Sequence, residues 1–358
     1  ATELLTLYVA LELSAYAMFI LLAIHTDEKR GSEAGIKTLL YGAAASAMTL
    51  YGLSLIFGMT GTTYLADIRF SPNVDQPLFI IGVALSLAGL LFKLAVFPFH
   101  SWAPDAYEGA PHQVVTFVGT VSKLTAAAVI IRLSTLVWHQ PEELSTLFFA
   151  LAVASMTIGN LAALVQKDIK RLLAWSTVAH AGYMLVGLHA FTQTGAASVI
   201  FYGMAYVILA YGAFLVISVV GGDGSNPTLT SLRGLHKRSP LLALVLLTSM
   251  FGLAGIPPTP GFAGKWFLFA AALERGQFIL VLIAAANATV SLYYYLIVVK
   301  AAFLDEPEDG VESGPIEVPA VIRWTAIGTL ILTVILGVLP APLWDLATRA
   351  AEALLSVS

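Results

Sequence analysis

Apolar stretches of about 20 residues recur along the whole 358-residue chain, separated only by short polar breaks. Each stretch is long enough to cross about 30 Å of hydrocarbon as a helix. Charged residues make up 11% of the chain, against about 25% in soluble proteins, and the mean hydropathy is +0.85. The apolar segments are 2–24, 36–59, 77–97, 113–137, 144–165, 169–190, 196–220, 240–257, 261–272, 277–302 and 319–340.

These segments predict an all-α fold, a polytopic bundle of transmembrane helices, because only helices and closed barrels satisfy backbone polar groups in lipid. The alternating ten-residue pattern of a membrane barrel does not occur in the sequence. The segments 240–257 and 261–272 are separated only by a proline-rich run, so we interpret them as one crossing that is broken in the middle. We therefore expect about ten crossings in a single membrane domain, 1–358.

The basic residues indicate the orientation of the chain. If the loops alternate between the two sides, eleven of the 18 Lys and Arg residues lie on one side and four on the other. The side with eleven is expected to be cytoplasmic, or the matrix in a mitochondrion. The stretch Asp305 to Glu317 is expected to be a solvated acidic loop on that side. The last residues, from about Trp344, have the pattern of an amphipathic helix at the outer interface.

Three lysines, Lys93, Lys123 and Lys265, lie inside apolar segments rather than in the polar breaks. A cation near the middle of a bilayer costs at least about 2.5 kcal/mol, so an ionisable group kept there indicates a functional site. Lysine also changes its pKa readily on burial, which suits the uptake and release of protons. Glu12 lies in the middle of its segment, where a lone carboxylate is equally costly, and His180 also lies mid-segment.

Structural roles remain open for several of these residues. Lys93 is close enough to the end of its segment to snorkel to the interface, and Lys265 has the position of a lysine at the start of a helix. His180 is either a packing histidine with satisfied hydrogen bonds or a member of a proton path. Lys37 begins a segment and is either interfacial or functional. The acidic pair that follows the first proline break either lines an entrance or braces the loop.

The two halves of the chain resemble each other. The run Ile-Lys-Thr-Leu-Leu at 36–40 is similar to Ile-Lys-Arg-Leu-Leu at 169–173, and each half carries one lysine, Lys93 or Lys265, beside a proline break. Each half has five crossings, and an odd number leaves the chain on the other side of the membrane. The second half would therefore begin on the opposite side from the first. Inverted repeats with broken helices are typical of ion and substrate transporters. We predict a first repeat at 1–140, a second at 141–303, and the acidic loop, last crossing and tail at 304–358, with two broken helices in all.

Several runs of residues resemble one known family. They are FKLAVFPFHSWAPDAYEGAP at 92–111, Ser-Lys at 122–123, DIKRLLAWS at 168–176, HAGY at 180–183, GIP at 255–257 and GFAGK at 261–265. Together they are similar to the antiporter-like membrane subunits of respiratory complex I. Within that group, Pro-Asp-Ala-Tyr-Glu-Gly-Ala-Pro at 104–111 resembles the subunit N branch, called subunit 2 in mitochondria. The resemblance covers essentially the whole chain.

The sequence departs from the family pattern in two ways. Bacterial members usually have fourteen crossings, and the ten predicted here match the fifth to the fourteenth. About four N-terminal helices of the family are therefore expected to be missing from this sequence. His112 and Gln113 follow Pro111, where the family usually has another proline close by, which affects only the local loop.

The resemblance implies a proton-translocating membrane-arm subunit of NADH:quinone oxidoreductase. It implies a pair of Glu12 with Lys93, then Lys123 as the central relay and Lys265 towards the outlet. His180 and Lys37 are further candidates. A lysine and a glutamate that lie close together keep each other charged, so opening the pair passes a proton to the next base. Backbone carbonyls freed at the two proline breaks are expected to hold water in the path.

No cofactor is expected on this chain. The chain has no cysteine, which excludes thiolate-held iron–sulfur clusters. The resemblance implies that NADH, FMN, the iron–sulfur clusters and quinone are bound by partner subunits, and that quinone reduction there drives the protons. The expected partners are other membrane subunits of complex I, both antiporter-like and small, and the lipid bilayer, with no nucleic acid.

The expected location is the bacterial cytoplasmic (inner) membrane rather than the mitochondrial inner membrane. Two other classes of function remain open. One is a free-standing or Mrp-type cation/proton antiporter, and the other is a structural spacer whose lysines carry no protons.

Overall fold

The computed structural model describes residues 2–24, 29–138, 141–222, 225–306 and 314–356. Residues 307–313 of the predicted acidic loop lie outside the described residues. The described helices are α1 (Leu4–Leu22), α2 (Lys29–Thr60), α3 (Leu65–Ile68), α4 (Pro77–Ser86), α5 (Ala88–Leu94), α6 (Trp102–Gly109), α7 (His112–Gly119), α8 (Val121–Ser134), α9 (Glu142–Ala163), α10 (Ile169–His189), α11 (Gln193–Val220), α12 (Leu235–Arg238), α13 (Pro240–Ala254), α14 (Pro260–Glu274), α15 (Phe278–Phe303), α16 (Ala320–Val338) and α17 (Ala341–Leu355). Over these ranges β-structure is limited to two isolated bridges.

Eight of the described helical stretches are long and apolar enough to cross a membrane. They are α1, residues 31–60 of α2, α4 with α5, α7 with α8, α9, α11, α15 and α16. The two remaining predicted crossings are the broken pair α13–α14 and the more polar helix α10. Nearly all residues of α10 are buried by other helices, so this helix does not need an apolar surface. The prediction of an all-α bundle with about ten crossings is confirmed.

The ends of the predicted segments agree with the helix ends to within three residues, with one exception. The exception is α2, which begins at Lys29 rather than at the predicted residue 36. The additional turns are polar, and a hydropathy pattern cannot detect a helix that continues beyond the hydrocarbon.

The two predicted helix breaks have the same local structure. Ala95 (φ 62°) follows α5 and Gly255 (φ 86°) follows α13, each in the left-handed conformation. The next N–H then donates to the carbonyl five residues back, from Val96 to Leu91 and from Ile256 to Phe251. This hydrogen bond defines a Schellman motif, which ends a helix and leaves the last carbonyls for other donors.

A third crossing is also interrupted, which the sequence did not predict. Helix α7 ends at Gly119 and α8 begins at Val121, with Thr120 between them in a non-helical conformation (φ −119°, ψ −88°). The Thr120 hydroxyl donates to the Thr116 carbonyl, and this side-chain bond competes with the helical backbone bonds. Because no proline marks the position, the hydropathy and proline patterns do not reveal it.

Helix α17 packs its apolar face on the bundle. Trp344 lies 4.2 Å, centroid to centroid, from the Phe267 ring of α14. Arg132 Nη1 donates to the carbonyls of Leu354 (2.9 Å) and Ser356 (2.8 Å), so the end of α17 is held against the C-terminal end of α8.

Candidate functional site

All three lysines selected from the sequence are buried in the bundle. The exposed fraction is 7% for Lys93, 1% for Lys123 and 5% for Lys265. A snorkelling lysine keeps its ammonium group in water, so neither snorkelling of Lys93 nor a solvated position of Lys265 at a helix start describes this structure. Each ammonium group must therefore find its hydrogen-bond acceptors inside the protein.

The ammonium group of Lys93 reaches helix α1 on both sides of Glu12. Its Nζ donates to the Leu11 carbonyl (3.1 Å) and to Ser14 Oγ (2.8 Å). The Glu12 carboxylate accepts a hydrogen bond from Ser46 of α2. Lys93 and Glu12 line one cavity of about 60 Å³, which has room for a few water molecules. The structure thus brings the predicted pair to one cavity, without a direct hydrogen bond between these two described side chains.

Lys123 binds the carbonyl end of the first broken helix. Its Nζ donates to the backbone carbonyl of Lys93 at 2.6 Å and lies 5.0 Å from the centroid of the Trp102 ring. The indole Nε1 of Trp102 donates to the Phe92 carbonyl at 3.0 Å. A cation is favoured at a helix C-terminus and over an aromatic face, and both effects stabilise the buried ammonium group.

Lys265 repeats this arrangement at the second broken helix. Its Nζ donates to the carbonyls of Leu253 (3.1 Å) and Ala254 (2.8 Å) and lies 4.8 Å from the centroid of the Tyr183 ring. The carbonyls that the sequence analysis assigned to water therefore accept hydrogen bonds from Lys123 and Lys265.

The structural counterpart of Lys265 is Lys123 rather than Lys93. Counted from the Schellman motif, Lys93 occupies the position of Leu253, the last helical residue but one. The helix breaks after α5 and α13 share one hydrogen-bond pattern. At each break, the last carbonyls of the helix segment accept hydrogen bonds from a lysine of another segment, Lys123 or Lys265.

His180 lies between the two ends of this arrangement. Its Nδ1 is 2.6 Å from the Tyr202 hydroxyl and its Nε2 is 2.9 Å from the Tyr295 hydroxyl. One turn earlier on α10, Thr177 Oγ1 is 2.8 Å from the Tyr206 hydroxyl. We call these five buried residues the central cluster. Both ring nitrogens of His180 are satisfied, and both contact hydroxyl groups that can accept and donate a proton.

The central cluster connects Lys123 with Lys265. Lys123 borders the same gap as Thr177, His180 and Tyr206, and this gap is too small to hold a water molecule. On the other side, the His180 ring meets the edge of Tyr183, over which Lys265 lies. The buried polar groups thus form a series from Lys123 to Lys265. The gap between Lys123 and the central cluster has no room for water.

Lys37 belongs to a different site, at the end of the bundle that the sequence predicts to be cytoplasmic, which we call the inner end. Its side chain is 40% exposed and forms ion pairs with Glu33 (2.6 Å) and Asp105 (2.7 Å). Arg171 joins the same network through Asp105 (2.8 Å) and Glu108 (2.6 Å). The two acidic residues after the first break therefore brace α6 against α2 and α10. Burial raises the pKa of Asp105, but hydrogen bonds from Lys37 and Arg171 outweigh it and hold that pKa below its usual value.

Sequence reasoning missed two groups of residues. The hydroxyl partners in the central cluster carry a weak signal, since Tyr202 and Tyr206 are four residues apart on an apolar helix. Lys170 is one of the eleven basic residues that the charge distribution assigns to the cytoplasmic loops, but it is only 2% exposed. Hydropathy cannot identify such a residue, because it lies at the end of its segment.

Comparisons with known proteins identify the family of this chain. Residues 1–291 match the family model described as NADH:quinone oxidoreductase/Mrp antiporter, TM. NADH-quinone oxidoreductase subunit N 2 of Solidesulfovibrio magneticus is 44% identical over 356 residues, covering 98% of this chain and 74% of the relative.

Two solved structures have the same fold. A chain of respiratory complex I from Thermus thermophilus aligns with a TM-score of 0.85 and 37% identity, over 96% of this chain and 75% of that one. A chain of the Mrp complex from Dietzia sp. aligns with a TM-score of 0.89 and 25% identity, over 99% and 74%. The chain therefore belongs to the NADH:quinone oxidoreductase/Mrp antiporter family of membrane proteins, in its subunit N branch.

Proposed function

We propose that this chain conducts protons along Glu12, Lys93, Lys123, His180 and Lys265, as one antiporter-like subunit in the membrane arm of an NADH:quinone oxidoreductase. The observation that carries the proposal is the 2.6 Å hydrogen bond from Lys123 Nζ to the Lys93 carbonyl. It joins the cavity of Glu12 to the central cluster through a single backbone group. Ionisable groups held in this way within a membrane bundle support a proton path.

The path begins at the cavity shared by Glu12 and Lys93. The carboxylate favours a proton on Lys93, and separating the two groups removes that preference. The proton then passes to Lys123 and through the hydroxyls of Tyr206 and Thr177 to His180. Because the gap beside Lys123 is dry, this transfer requires the gap to open. Opening and closing of the gap would control when the proton moves.

Beyond His180, the Tyr202 and Tyr295 hydroxyls continue the path to Lys265. Each hydroxyl accepts one proton and donates its own, so none of them has to ionise. We assign Lys37 to the inner ion-pair network and not to the path. Nine residues, about 13 Å of helix, separate it from Ser46 beside Glu12.

The energy for transport would come from partner subunits. The thermophilic structural neighbour is a respiratory complex I, and the curated relative is a subunit of an NADH-quinone oxidoreductase. We therefore assign NADH, FMN, the iron–sulfur clusters and quinone to other subunits, and no redox group to this chain. Its neighbours would be other membrane subunits of that complex. The bacterial source of the relative supports the bacterial inner membrane as the location.

The division into inverted repeats at 1–140 and 141–303 is part of the same proposal. The matching Schellman motifs after α5 and α13 support it, as does the matching role of Lys123 and Lys265. The acidic loop, last crossing and tail at 304–358 would lie outside both repeats.

The test is Lys123→Met in the assembled complex, with the exposed Lys167→Met as the matched control. We expect Lys123→Met to lower proton translocation by at least about tenfold, with assembly unchanged. Translocation at the level of the control would contradict the path. Cation-driven proton movement by the purified chain alone in proteoliposomes would instead support the antiporter alternative.

A further inference from the structure

Lys170 is a fourth buried lysine, at the inner end of α10. Only 2% of it is exposed, and its Nζ donates to the carbonyls of Ala110 (2.7 Å) and Glu108 (3.2 Å) and to Asn226 Oδ1 (2.9 Å). Holding a lysine here removes a strongly hydrated ammonium group from water, although its segment ends at the inner surface. A solvated lysine would be less costly at this position.

The environment of Lys170 repeats that of the two path lysines. Its two carbonyl acceptors are at the C-terminal end of α6, the short helix that follows the first break. Lys123 and Lys265 bind the C-terminal ends of α5 and α13 in the same way. Three buried lysines therefore each cap the end of a short helix segment. Such an end is a favourable site for a cation.

The surroundings of Lys170 connect it to the inner surface. Among the described residues, the titratable groups around it include Glu108 of α6, His112 of α7, Asp168 at the N-cap of α10 and its neighbour Arg171. Glu108 is 25% exposed and thus borders the water on that side. Burial raises the pKa of Asp168, whereas the backbone N–H of Arg171 lowers it, and the net shift is upward. This group of residues can exchange protons with water at the inner side.

A row of polar groups leads from Lys170 into the membrane. Thr177 lies seven residues further along α10, on the same face and about 10 Å deeper. The Tyr107 side chain of α6 extends to this level, with its hydroxyl beside Thr177 and against Gly119. Thr177 in turn contacts Tyr206 at 2.8 Å in the central cluster.

The hydroxyl of Tyr107 is the unusual member of this row. It is fully buried and forms no hydrogen bond of normal geometry with any described residue. A buried hydroxyl that lies beside Thr177 without good hydrogen-bond geometry loses part of the roughly 1–3 kcal/mol that a full bond protects, so a phenylalanine would pack at least as well. The tyrosine therefore indicates a use for its hydroxyl.

We propose that Lys170 is the proton-loading residue on the inner side and that the Tyr107 hydroxyl relays its proton to Thr177 and the central cluster. The inference rests on the proposed function and extends it with an entrance. In this proposal water would bridge Lys170 and Tyr107 and carry one proton between them, and the hydroxyls of Tyr107 and Thr177 would each accept one proton and donate one. The proton reaches His180 through Tyr206, and water at the inner surface reprotonates Lys170.

The first experiment removes the relay hydroxyl with Tyr107→Phe in the assembled complex. The ring contacts with Trp102 and Phe214 remain, so stability should be equal or higher. We expect proton translocation per NADH oxidised to fall about threefold to tenfold. The control is Tyr211→Phe, which removes a tyrosine hydroxyl from a groove between α11 and α16. This variant should translocate protons like the wild type. Normal translocation by Tyr107→Phe would overturn the relay.

The second experiment separates a loading role of Lys170 from a structural one. Lys170→Arg keeps the charge and the hydrogen-bond donors but does not release a proton, whereas Lys170→Met removes both. We expect Lys170→Arg to assemble and to translocate protons poorly, with Lys167→Met as the unaffected control. Full translocation by Lys170→Arg would show that the residue only caps α6, which would contradict the proposal. If neither Lys170 variant assembles, translocation by Tyr107→Phe decides whether the proposed entrance is correct.

Lys123→Met, measured in the same preparation, distinguishes this inference from the proposed function. If Lys123→Met translocates normally, the central path itself is wrong. If Lys123→Met fails while Tyr107→Phe and Lys170→Arg translocate normally, protons reach the central cluster by another route and only the entrance is wrong.

Discussion

The ammonium group of Lys123 donates a 2.6 Å hydrogen bond to the backbone carbonyl of Lys93, whose own ammonium group points away, towards α1. The two lysines are therefore joined through the end of a broken helix and not through their charges. A movement of this helix end changes the surroundings of both ammonium groups together. This shared contact is a physical route by which the two ammonium groups can be coupled.

The partners of Glu12 give a first prediction. Ser46 donates to the Glu12 carboxylate, and Ser46→Ala removes this hydrogen bond from a site with little water. We expect a loss of about 1.5–3 kcal/mol in the stabilisation of the carboxylate and slower proton translocation. Ser54→Ala is the control on the same helix, because Ser54 is exposed and binds only its own backbone. The measurement is translocation per NADH oxidised, and equal rates for both variants would exclude a role for Ser46.

The second break gives a prediction about Lys265. A methyl group on Gly255 would lie 3.0 Å from Lys265 Cδ and 3.3 Å from Nζ, at a residue with φ 86°. Gly255→Ala should therefore displace the ammonium group in addition to the backbone strain of about 1–2 kcal/mol. Gly276→Ala provides the control, since Gly276 has φ 72° and nothing within 4 Å of the added methyl group. We expect both variants to lower Tm and only Gly255→Ala to lower translocation. A similar loss of translocation in both would refute this.

The partners of His180 give a third prediction. Tyr295→Phe leaves the buried Nε2 without its hydroxyl partner, which should cost about 1–3 kcal/mol and interrupt the path to Lys265. Tyr293→Phe, two residues earlier on the same helix, changes an exposed tyrosine and should have no effect. The measurements are Tm and proton translocation. A Tyr295→Phe variant that keeps normal translocation would place Tyr295 outside the path.

The inner ion-pair network gives a prediction about pH. Because the pKa of folded Asp105 is below its ordinary value of 3.8, its stabilising contribution is fully present above that pH and is lost as the pH falls through the folded pKa. At neutral pH, Asp105→Asn should lower stability by about 1–2 kcal/mol, since the pairs are partly screened by water. The difference in Tm should then shrink below about pH 4.

The check for Asp105 is the thermal unfolding of wild type and variant in lipid nanodiscs across this pH range. Asp67→Asn, which changes an exposed carboxylate, is the control and should give a small difference at every pH. A Tm difference for Asp105→Asn that persists or grows as the pH falls would contradict the assigned direction.

The sequence by itself determined the crossings, the two proline breaks and the three central lysines. An apolar run of about 20 residues has few alternatives to a membrane helix, and prolines that interrupt one have a local effect on the backbone. A lysine within such a run is conspicuous because its burial is costly. These signals are local, so they can be identified without knowing which helices are neighbours.

Only the tertiary structure decided which groups the lysines contact. The Lys123–Lys93 bond joins residues 30 apart in the chain, and the contact of His180 with Tyr295 spans 115 residues. Burial of Lys170 likewise depends on α6 and on the loop that carries Asn226. Hydroxyl groups and lysines at segment ends have no distinctive hydropathy, because their burial results from helix packing. Helix packing also decides that Lys123, and not Lys93, binds a helix end as Lys265 does.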